Sequence, residues 1–283
     1  MTSFDPNRPD FSPYGYSCVR WTPTRMPRCD RHNEIELNLL ERGAVVYLMG
    51  GRRVTVPAGR LTAFWAGVPH QILDFETDDA YFVMTVPLTR FLQWQLPDGF
   101  TRAILHGEPV IEPDAGLLAV DRGRFETWLG DLDAGSEDRR RVSLLEVEAR
   151  LRRLAMSRPP AGSEPRRRPR AAVRPRHLNR AEEMAYFVAR NYTGPLTAEA
   201  VARHVGLHPN YAMAVFQQAF GTTLLKYVTQ HRLSHAQRLL VTTGDSVLAI
   251  AFASGFGSLS RFNEAFRGAA GCTPREYRRA HQS

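Results

Sequence analysis

Hydrophobic and polar residues follow the same helical pattern twice near the C-terminal end of the chain. In residues 196–220 and again in residues 246–266, a short amphipathic segment ends at a glycine and a second helical run follows. The matching positions are Ala202 with Gly206, and Ala251 with Gly255. Glycine permits a sharp turn, and alanine permits close approach of the two helices. Each stretch therefore predicts a helix-turn-helix whose second helix can enter a major groove.

The spacing of the two units strengthens this interpretation. Gly206 and Gly255 are 49 positions apart, and the residues between them predict one long helix over 224–240. Its apolar positions are Leu225, Val228, Leu233, Ala236 and Leu240. A single unit would resemble any two-helix corner, whereas two units joined by one helix favour a tandem DNA-reading domain. The alternative is an all-α bundle with incidental glycine turns.

A different pattern fills residues 14–87, where short β-type runs are separated by Gly and Pro. The predicted strands are residues 35–40, 44–49, 53–56, 61–65 and 81–86. Many short strands with regular turns are typical of a small antiparallel barrel or jelly roll. The N-terminal part of the chain is therefore predicted to be a β domain.

After Pro87 the pattern becomes helical. Residues 125–132 and 142–156 are amphipathic, and the second has a narrow apolar stripe formed by Leu144, Val147, Leu151 and Leu154. Residues 157–176 are rich in Pro and Arg and cannot bury a core, so they predict an extended linker. A simple spacer is favoured there over a non-specific phosphate contact.

Charge is distributed unevenly along the chain. Residues 1–156 contain 19 Arg and 22 acidic residues, residues 157–176 contain 7 Arg and one acid, and residues 177–283 contain 11 Lys and Arg against 6 acids. A basic C-terminal part behind a mildly acidic N-terminal part fits a DNA-binding domain joined to a separate sensing domain. A basic surface without a polyanionic partner would have the same charge.

Other features of the composition favour a cytoplasmic protein. The three cysteines, Cys18, Cys29 and Cys272, are widely spaced, so they indicate neither a disulfide framework nor a zinc finger. Residues 1–13 are polar without an apolar signal segment, and no run has the length of a membrane span. A membrane partner is not expected.

The C-terminal pattern resembles the AraC/XylS family of bacterial transcription regulators. Residues 271–278 are similar to a Gly-x-x-Pro-x-x-Tyr-Arg signature of that family, and residues 210–217, 255–262 and 62–71 also resemble its members. The resemblance implies an α+β protein, with a cupin-like antiparallel β-barrel followed by helices and an all-α domain with two tandem helix-turn-helix units. The implied domains are an effector-binding barrel (1–120), a helical segment that self-associates or packs on the barrel (121–156), a linker (157–176) and a DNA-binding domain (177–283).

The resemblance also implies the partners. They are double-stranded promoter DNA, a small effector, a second copy of the chain and RNA polymerase. The members that the chain resembles imply a sugar effector, such as an α-galactoside. Neither a cofactor nor enzymatic activity is expected.

Helix geometry divides each predicted recognition helix into an inward and an outward face. The outward residues are Asn210, Met213, Ala214 and Gln217 in the first helix, and Ser258, Ser260, Arg261 and Glu264 in the second, with Asn263 at the edge of that face. The residues expected to face the core are Tyr211, Ala212, Val215 and Phe216, then Phe262, Ala265 and Phe266. For each outward residue, a solvated surface position is the alternative.

Arg261 is the strongest candidate for reading a base. Arginine can bond guanine bidentately, and Asn and Gln can bond adenine in the same way, whereas Met213 offers only apolar contact. The AraC/XylS family often has an arginine at the position of Ala214. The first unit is therefore expected to read DNA more weakly than the second.

Asp30, His32, Glu36 and His70 offer ligand atoms that a metal accepts. Cupin enzymes hold a metal with His-x-His, a Glu and a later His, and Asp30 stands here at the first His position. The resemblance implies instead a regulator that binds its effector without a metal. The alternative to a ligand-binding role is that His32 and His70 only form hydrogen bonds near the mouth of the barrel.

A sugar pocket needs aromatic faces for the ring and polar groups for the hydroxyls. The candidates are His32, Glu36, Asn38, Trp65, His70 and Trp94, although Trp65 fits a core position equally well. The favoured function is an effector-responsive transcription regulator. The alternatives are a cupin-type metalloenzyme domain fused to a DNA-binding domain, and a constitutive DNA-binding dimer without an effector.

Overall fold

Strands dominate the N-terminal region and helices the remainder of the chain. The computed structural model describes residues 2–9, 12–157, 180–220 and 222–281. The predicted linker over 157–176 therefore lies outside the described residues, apart from its first position. The strands are β1 (Ser17–Trp21), β2 (Glu34–Leu39), β3 (Ala44–Met49), β4 (Arg52–Pro57), β5 (Thr62–Trp65), β6 (His70–Phe75), β7 (Tyr81–Pro87) and β8 (Val110–Ile111).

The described helices fall into two groups, before residue 158 and after residue 179. Those of the N-terminal part are α1 (Leu88–Gln93), α2 (Asp98–Leu105), α3 (Leu118–Asp133) and α4 (Glu137–Met156). Those of the C-terminal part are α5 (Arg180–Asn191), α6 (Ala198–His204), α7 (Pro209–Phe220), α8 (Leu224–Thr242), α9 (Val247–Ala253), α10 (Leu259–Ala270) and α11 (Pro274–His281).

The strands form two antiparallel sheets. One has the order β1-β7-β2-β5-β8 and the other the order β4-β3-β6. All five predicted strands are confirmed, and β3 has the predicted bounds. The antiparallel β fold is also confirmed, although the strand pairing leaves two open sheets and does not close a cupin-like barrel. The predicted series lacked β1, β6 and β8.

The five-stranded sheet is covered on both faces. Its outer face packs under the helices, so that Ile35 and Leu37 of β2 lie in one cluster with Phe125, Trp128 and Leu151. Its inner face meets the smaller sheet in a second cluster. Strand β2 is consequently buried along its whole length.

The apolar stripe of α4 packs on the β domain. Val147, Leu151 and Leu154 are fully buried in the cluster beneath the helices, and Leu144 packs against it. The stripe thus completes the core of its own chain, and other residues of α4 form the outer surface. Among those, Val142 and Leu145 are exposed.

The C-terminal domain contacts the β domain through polar and close backbone contacts. Arg53 of β4 pairs with the buried Glu182 of α5 at 2.5 Å. Arg31 donates to Gln237 of α8 at 2.8 Å. Gly51 has a φ of +77°, and a Cβ there would lie 2.5 Å from the carbonyl oxygen of Ala185, so only glycine fits this contact.

Candidate nucleic-acid interface and ligand pocket

The first helix-turn-helix consists of α6, a short turn and α7. Thr197 caps α6 by accepting from the backbone N–H of Ala200 at 3.2 Å. Gly206 makes the turn at a φ of +70°. Ala202 of α6 and Phe216 of α7 are fully buried at the corner between the helices. The geometry predicted from the Ala-Gly spacing is therefore present.

The outer face of α7 carries the predicted DNA-reading residues. Asn210, Met213, Ala214 and Gln217 are all exposed. The expectation that Tyr211 faces the core is wrong, because its side chain is 61% exposed. Ala212 and Phe216 fill the core, and Tyr211, one residue before Ala212, is rotated by about 100° around the helix axis to the outside.

The second unit consists of α9 and α10 and is built in the same way. Gly255 makes the turn at a φ of +92°, and a Cβ there would lie 2.6 Å from the carbonyl oxygen of Tyr192. Phe262 and Phe266 of α10 are fully buried, as predicted. The turn of the second unit thus packs against the chain that follows α5, in the first half of the domain.

The outer face of α10 exposes Ser260, Arg261, Asn263 and Glu264. Ser258 differs from them, because it is the N-cap and its hydroxyl accepts from the backbone N–H of Arg261 at 3.4 Å. Ser258 therefore fixes the start of the helix that presents Arg261.

Residues 271–278 join α10 to α11 through two capping devices. Gly271 ends α10 in the left-handed conformation, at a φ of +69°. Thr273 and Glu276 then form a capping box around Pro274, the first residue of α11, with the N–H of Thr273 donating to Glu276 Oε2 at 2.7 Å. These caps supply a physical reason for the Gly-x-x-Pro spacing.

A cavity of about 80 Å³ opens on the inner face of the β domain. It is lined by His32, Glu36 and His70, three of the predicted effector residues, and also by Asp30. Aromatic side chains complete the wall: Tyr14, Trp21, Tyr47 and Tyr81. The cavity thus combines aromatic faces with polar groups.

The polar groups of this cavity are joined by hydrogen bonds and ion pairs. His32 contacts Glu34 Oε2 through Nδ1 at 2.9 Å and Glu36 Oε2 through Nε2 at 3.3 Å. His70 Nε2 lies 3.8 Å from the same Glu36 oxygen. The hydroxyl of Tyr14 donates to Asp30 Oδ2 at 3.0 Å.

The two histidines differ in charge. Burial alone would lower the pKa of His32, but hydrogen bonds to Glu34 and Glu36 raise the pKa to about 9. Burial and the nearby positive charge of His32 lower the pKa of His70, against the attraction of Glu36. At neutral pH one ring is an imidazolium that donates from both nitrogens, and the other is a neutral ring that donates and accepts.

Asp30, His32 and His70 could also hold a cation. One ligand atom from each lies within 4.8 Å of the others, and all three residues are buried. Glu36 adds a further carboxylate at the distances given above. These donors, which the sequence distributes over residues 30–70, are brought together by the antiparallel bridge between Asp30 and His70.

Three predicted effector residues lie outside the cavity wall. Asn38 is buried behind the wall and donates to the hydroxyl of Tyr47 at 3.1 Å. Trp65 belongs to the core under the helices and faces a different cavity. Trp94 follows α1 and packs against Phe91.

Comparisons with known proteins agree with the architecture of the C-terminal part. Residues 201–280 match a family described as a helix-turn-helix domain. The melibiose operon regulatory protein of Escherichia coli strain K12 is 32% identical over 264 residues, which cover 92% of this chain and 86% of that protein. This chain belongs to the AraC/XylS family of transcription regulators.

Other transcription regulators match over shorter stretches. The virulence regulon transcriptional activator VirF of Yersinia enterocolitica is 31% identical over 105 residues, 36% of this chain and 39% of that protein. A crystal structure from Chromobacterium violaceum, a transcriptional regulator with an AraC-type DNA-binding domain, is 31% identical. It covers 36% of this chain and 91% of that chain, with a TM-score of 0.34.

As an AraC/XylS regulator, the protein binds DNA and regulates transcription. Among the described residues, no helix combines the length and the apolar character needed to cross a membrane. Sequence reasoning missed the tyrosines of the cavity, Tyr14, Tyr47 and Tyr81. For Tyr47 and Tyr81 the available signal was their place on predicted strands next to the candidate polar residues.

Proposed function

We propose that this protein is a transcription regulator that reads promoter DNA through α7 and α10 and responds to a sugar bound in the β domain. The observation that carries the DNA-reading part is the pair of exposed recognition helices, each held by a glycine turn and by buried alanine and phenylalanine side chains at the corner. The long helix α8 joins the two corners and fixes their separation. The two helices are then expected to occupy successive major-groove segments about one helical turn (~10 bp) apart.

Arg261→Ala is expected to weaken binding to the specific promoter site by about 1–3 kcal/mol, because a bidentate arginine–guanine contact is lost. Binding to random DNA should fall much less. Asn210→Ala should cost less specific affinity than Arg261→Ala, since α7 presents no arginine or lysine on its outer face. Electrophoretic mobility shifts with matched specific and random duplexes measure both effects.

Two results would contradict this assignment. Equal losses on specific and random DNA would place Arg261 on a phosphate. A footprint confined to one groove segment would refute docking of both helices, and a larger loss from Asn210→Ala would refute the ranking of the two units.

The proposed effector is a small sugar, such as an α-galactoside. The name of the relative from the melibiose operon supports this class, and so does the chemistry of the cavity. Tyr14, Tyr47 and Tyr81 offer rings for the CH face of a sugar, and His32, His70 and the carboxylates offer hydrogen bonds for its hydroxyls. At about 10–15 Å³ per water, the space corresponds to roughly six waters, about the volume of one pyranose ring.

Glu36→Gln is expected to weaken binding of methyl α-galactoside by about tenfold or more, because a charged acceptor beside both imidazoles becomes neutral. Glu126→Gln, at an exposed position of α3, is the matched control and should leave the affinity unchanged. Isothermal titration calorimetry measures the dissociation constants. Unchanged affinity in Glu36→Gln would move the sugar to another site, and no binding of any galactoside to the wild-type protein would refute the sugar class.

The proposed regulator acts in the cytoplasm, without catalysis or a cofactor, as a homodimer that also contacts RNA polymerase. Resemblance to the family supports these partners. The exposed Val142 and Leu145 on α4 also support self-association, because they form an apolar surface that the core of the chain does not use.

A further inference from the structure

A second cavity, distinct from the proposed effector pocket, lies between the two domains. It measures about 290 Å³. One wall belongs to the β domain and includes Arg52, Trp65 and Val68, and the opposite wall includes His231 and His235 of α8. A ligand here would contact both domains at once.

Polar atoms in these walls lack protein partners. Among the described residues, the buried side-chain atoms without a hydrogen bond include Trp65 Nε1, His231 Nε2 and His235 Nδ1, and all three residues line this cavity. Trp65 is 1% exposed and His231 is 6% exposed. A buried indole N–H without an acceptor is costly, and since it only donates, its partner must be an acceptor such as a carboxylate or phosphate oxygen or a water.

The imidazoles are held in place by an aromatic neighbour. The ring of Tyr192 stacks on His231 at a centroid distance of 5.5 Å and meets the edge of His235 at 5.7 Å. The hydroxyl of Ser234, between them on α8, donates to the carbonyl oxygen of Gly67 in the β domain. The unpartnered nitrogens therefore belong to a fixed frame that spans both domains.

The charge of the walls is positive. The described residues of the lining include three guanidinium groups, from Arg52, Arg190 and Arg238, and one carboxylate, from Glu108. Arg238 Nη1 donates to His106 Nε2 at 3.0 Å, so His106 is a neutral acceptor in this arrangement. Three guanidinium groups against one carboxylate give the lining a net positive charge, which favours an anion.

We propose that this interdomain cavity is a second ligand site, which binds a small organic anion with a phosphate or carboxylate group. The anion would accept hydrogen bonds from Trp65 and from Arg238, and the imidazoles of α8 would bond its remaining polar groups. Because α8 joins the two helix-turn-helix units, the bound anion tightens the packing of the DNA-binding domain on the β domain. This site is independent of the proposed sugar effector.

The test uses three ligands with the same ring: galactose 1-phosphate, galacturonate and neutral galactose. One or both anions are expected to bind the full-length protein at this cavity. An anion present at ten times its Kd stabilises the folded protein by about 1.4 kcal/mol, which should raise Tm by about 3 °C. Comparison of the two anions shows whether the site takes phosphate or carboxylate. Neutral galactose should show no dependence on the cavity residues.

Two variants and a control decide the location. Arg238→Gln and His231→Leu should each weaken anion binding by about tenfold or more, because a charged or a buried polar partner is lost. Arg153→Gln, on the exposed side of α4, should bind the anion like wild type. If neither anion binds the wild-type protein, or if both variants bind the anion like wild type, the proposal is wrong. Should one variant fail to fold, the other decides the result.

Discussion

Replacing Arg150 by alanine is expected to lower the free energy of unfolding by about 3–5 kcal/mol, because a buried ion cluster loses its central cation. Within the described part of the chain, only Asp121 of the two buried carboxylates keeps a cation, the partly exposed Arg124. Arg150 on α4 donates to Asp121 through Nε at 2.7 Å and to Glu112 through Nη2 at 2.8 Å. All three residues are at most 3% exposed. Denaturation with urea, followed by circular dichroism, measures the loss.

The matched control is Arg153→Ala on the same helix. Arg153 is exposed, so its replacement should change stability by less than about 0.5 kcal/mol. Similar small losses from both variants would show that the buried ion cluster contributes little, and that the apolar packing of α4 holds the helix on the sheet.

Stability is expected to fall as the pH decreases from 6.5 towards 4, largely because of His231. Burial, together with the charge of Arg31, lowers the pKa of His231 to about 3. Above pH 6.5 the ring is neutral in both states. Below pH 6.5 only the unfolded ring gains a proton, so at pH 4.5 this one group favours unfolding by roughly 2–3 kcal/mol.

His235 acts in the same direction. Burial and the charge of Arg238 lower the pKa of His235 to about 4, although its partial exposure makes its effect smaller. His231→Leu should therefore flatten the stability profile between pH 6.5 and 4.5, and His208→Gln, at an exposed position, should leave it unchanged. Urea titrations at several pH values test this. Parallel profiles for wild type and His231→Leu would contradict the assignment.

These two predictions concern contacts that sequence reasoning could not place. Arg150 lies in a run with several other arginines, and nothing in the pattern distinguishes the buried one from Arg152 and Arg153. The difference arises from helix packing, which turns Arg150 towards Asp121 of α3 and leaves Arg153 exposed.

The sequence by itself determined the DNA-binding architecture, because that architecture is encoded locally. A glycine at positive φ, an alanine four residues earlier and an N-cap residue act within one helical corner. Period-3.6 spacing also predicted α8, and β propensity with turn residues predicted β3 at its bounds. The inward face of α7 was predicted less well. Tyr211 was expected in the core because it is largely apolar, but the smaller Ala212 occupies the core and Tyr211 is exposed.

Tertiary structure decided the ligand cavities. His32 and His70 meet because Asp30 and His70 form a bridge across 40 positions of sequence. Strand β2 is buried on both faces, so an alternating pattern could not separate the wall of a pocket from the core. Trp65 and Trp94 were candidates for the effector pocket because of their residue type. Both lie instead in the apolar cluster between the five-stranded sheet and the helices packed on its outer face. The cavity between the domains depends on how α8 docks on the β domain, a long-range arrangement of packed surfaces that leaves no periodic signal in the chain.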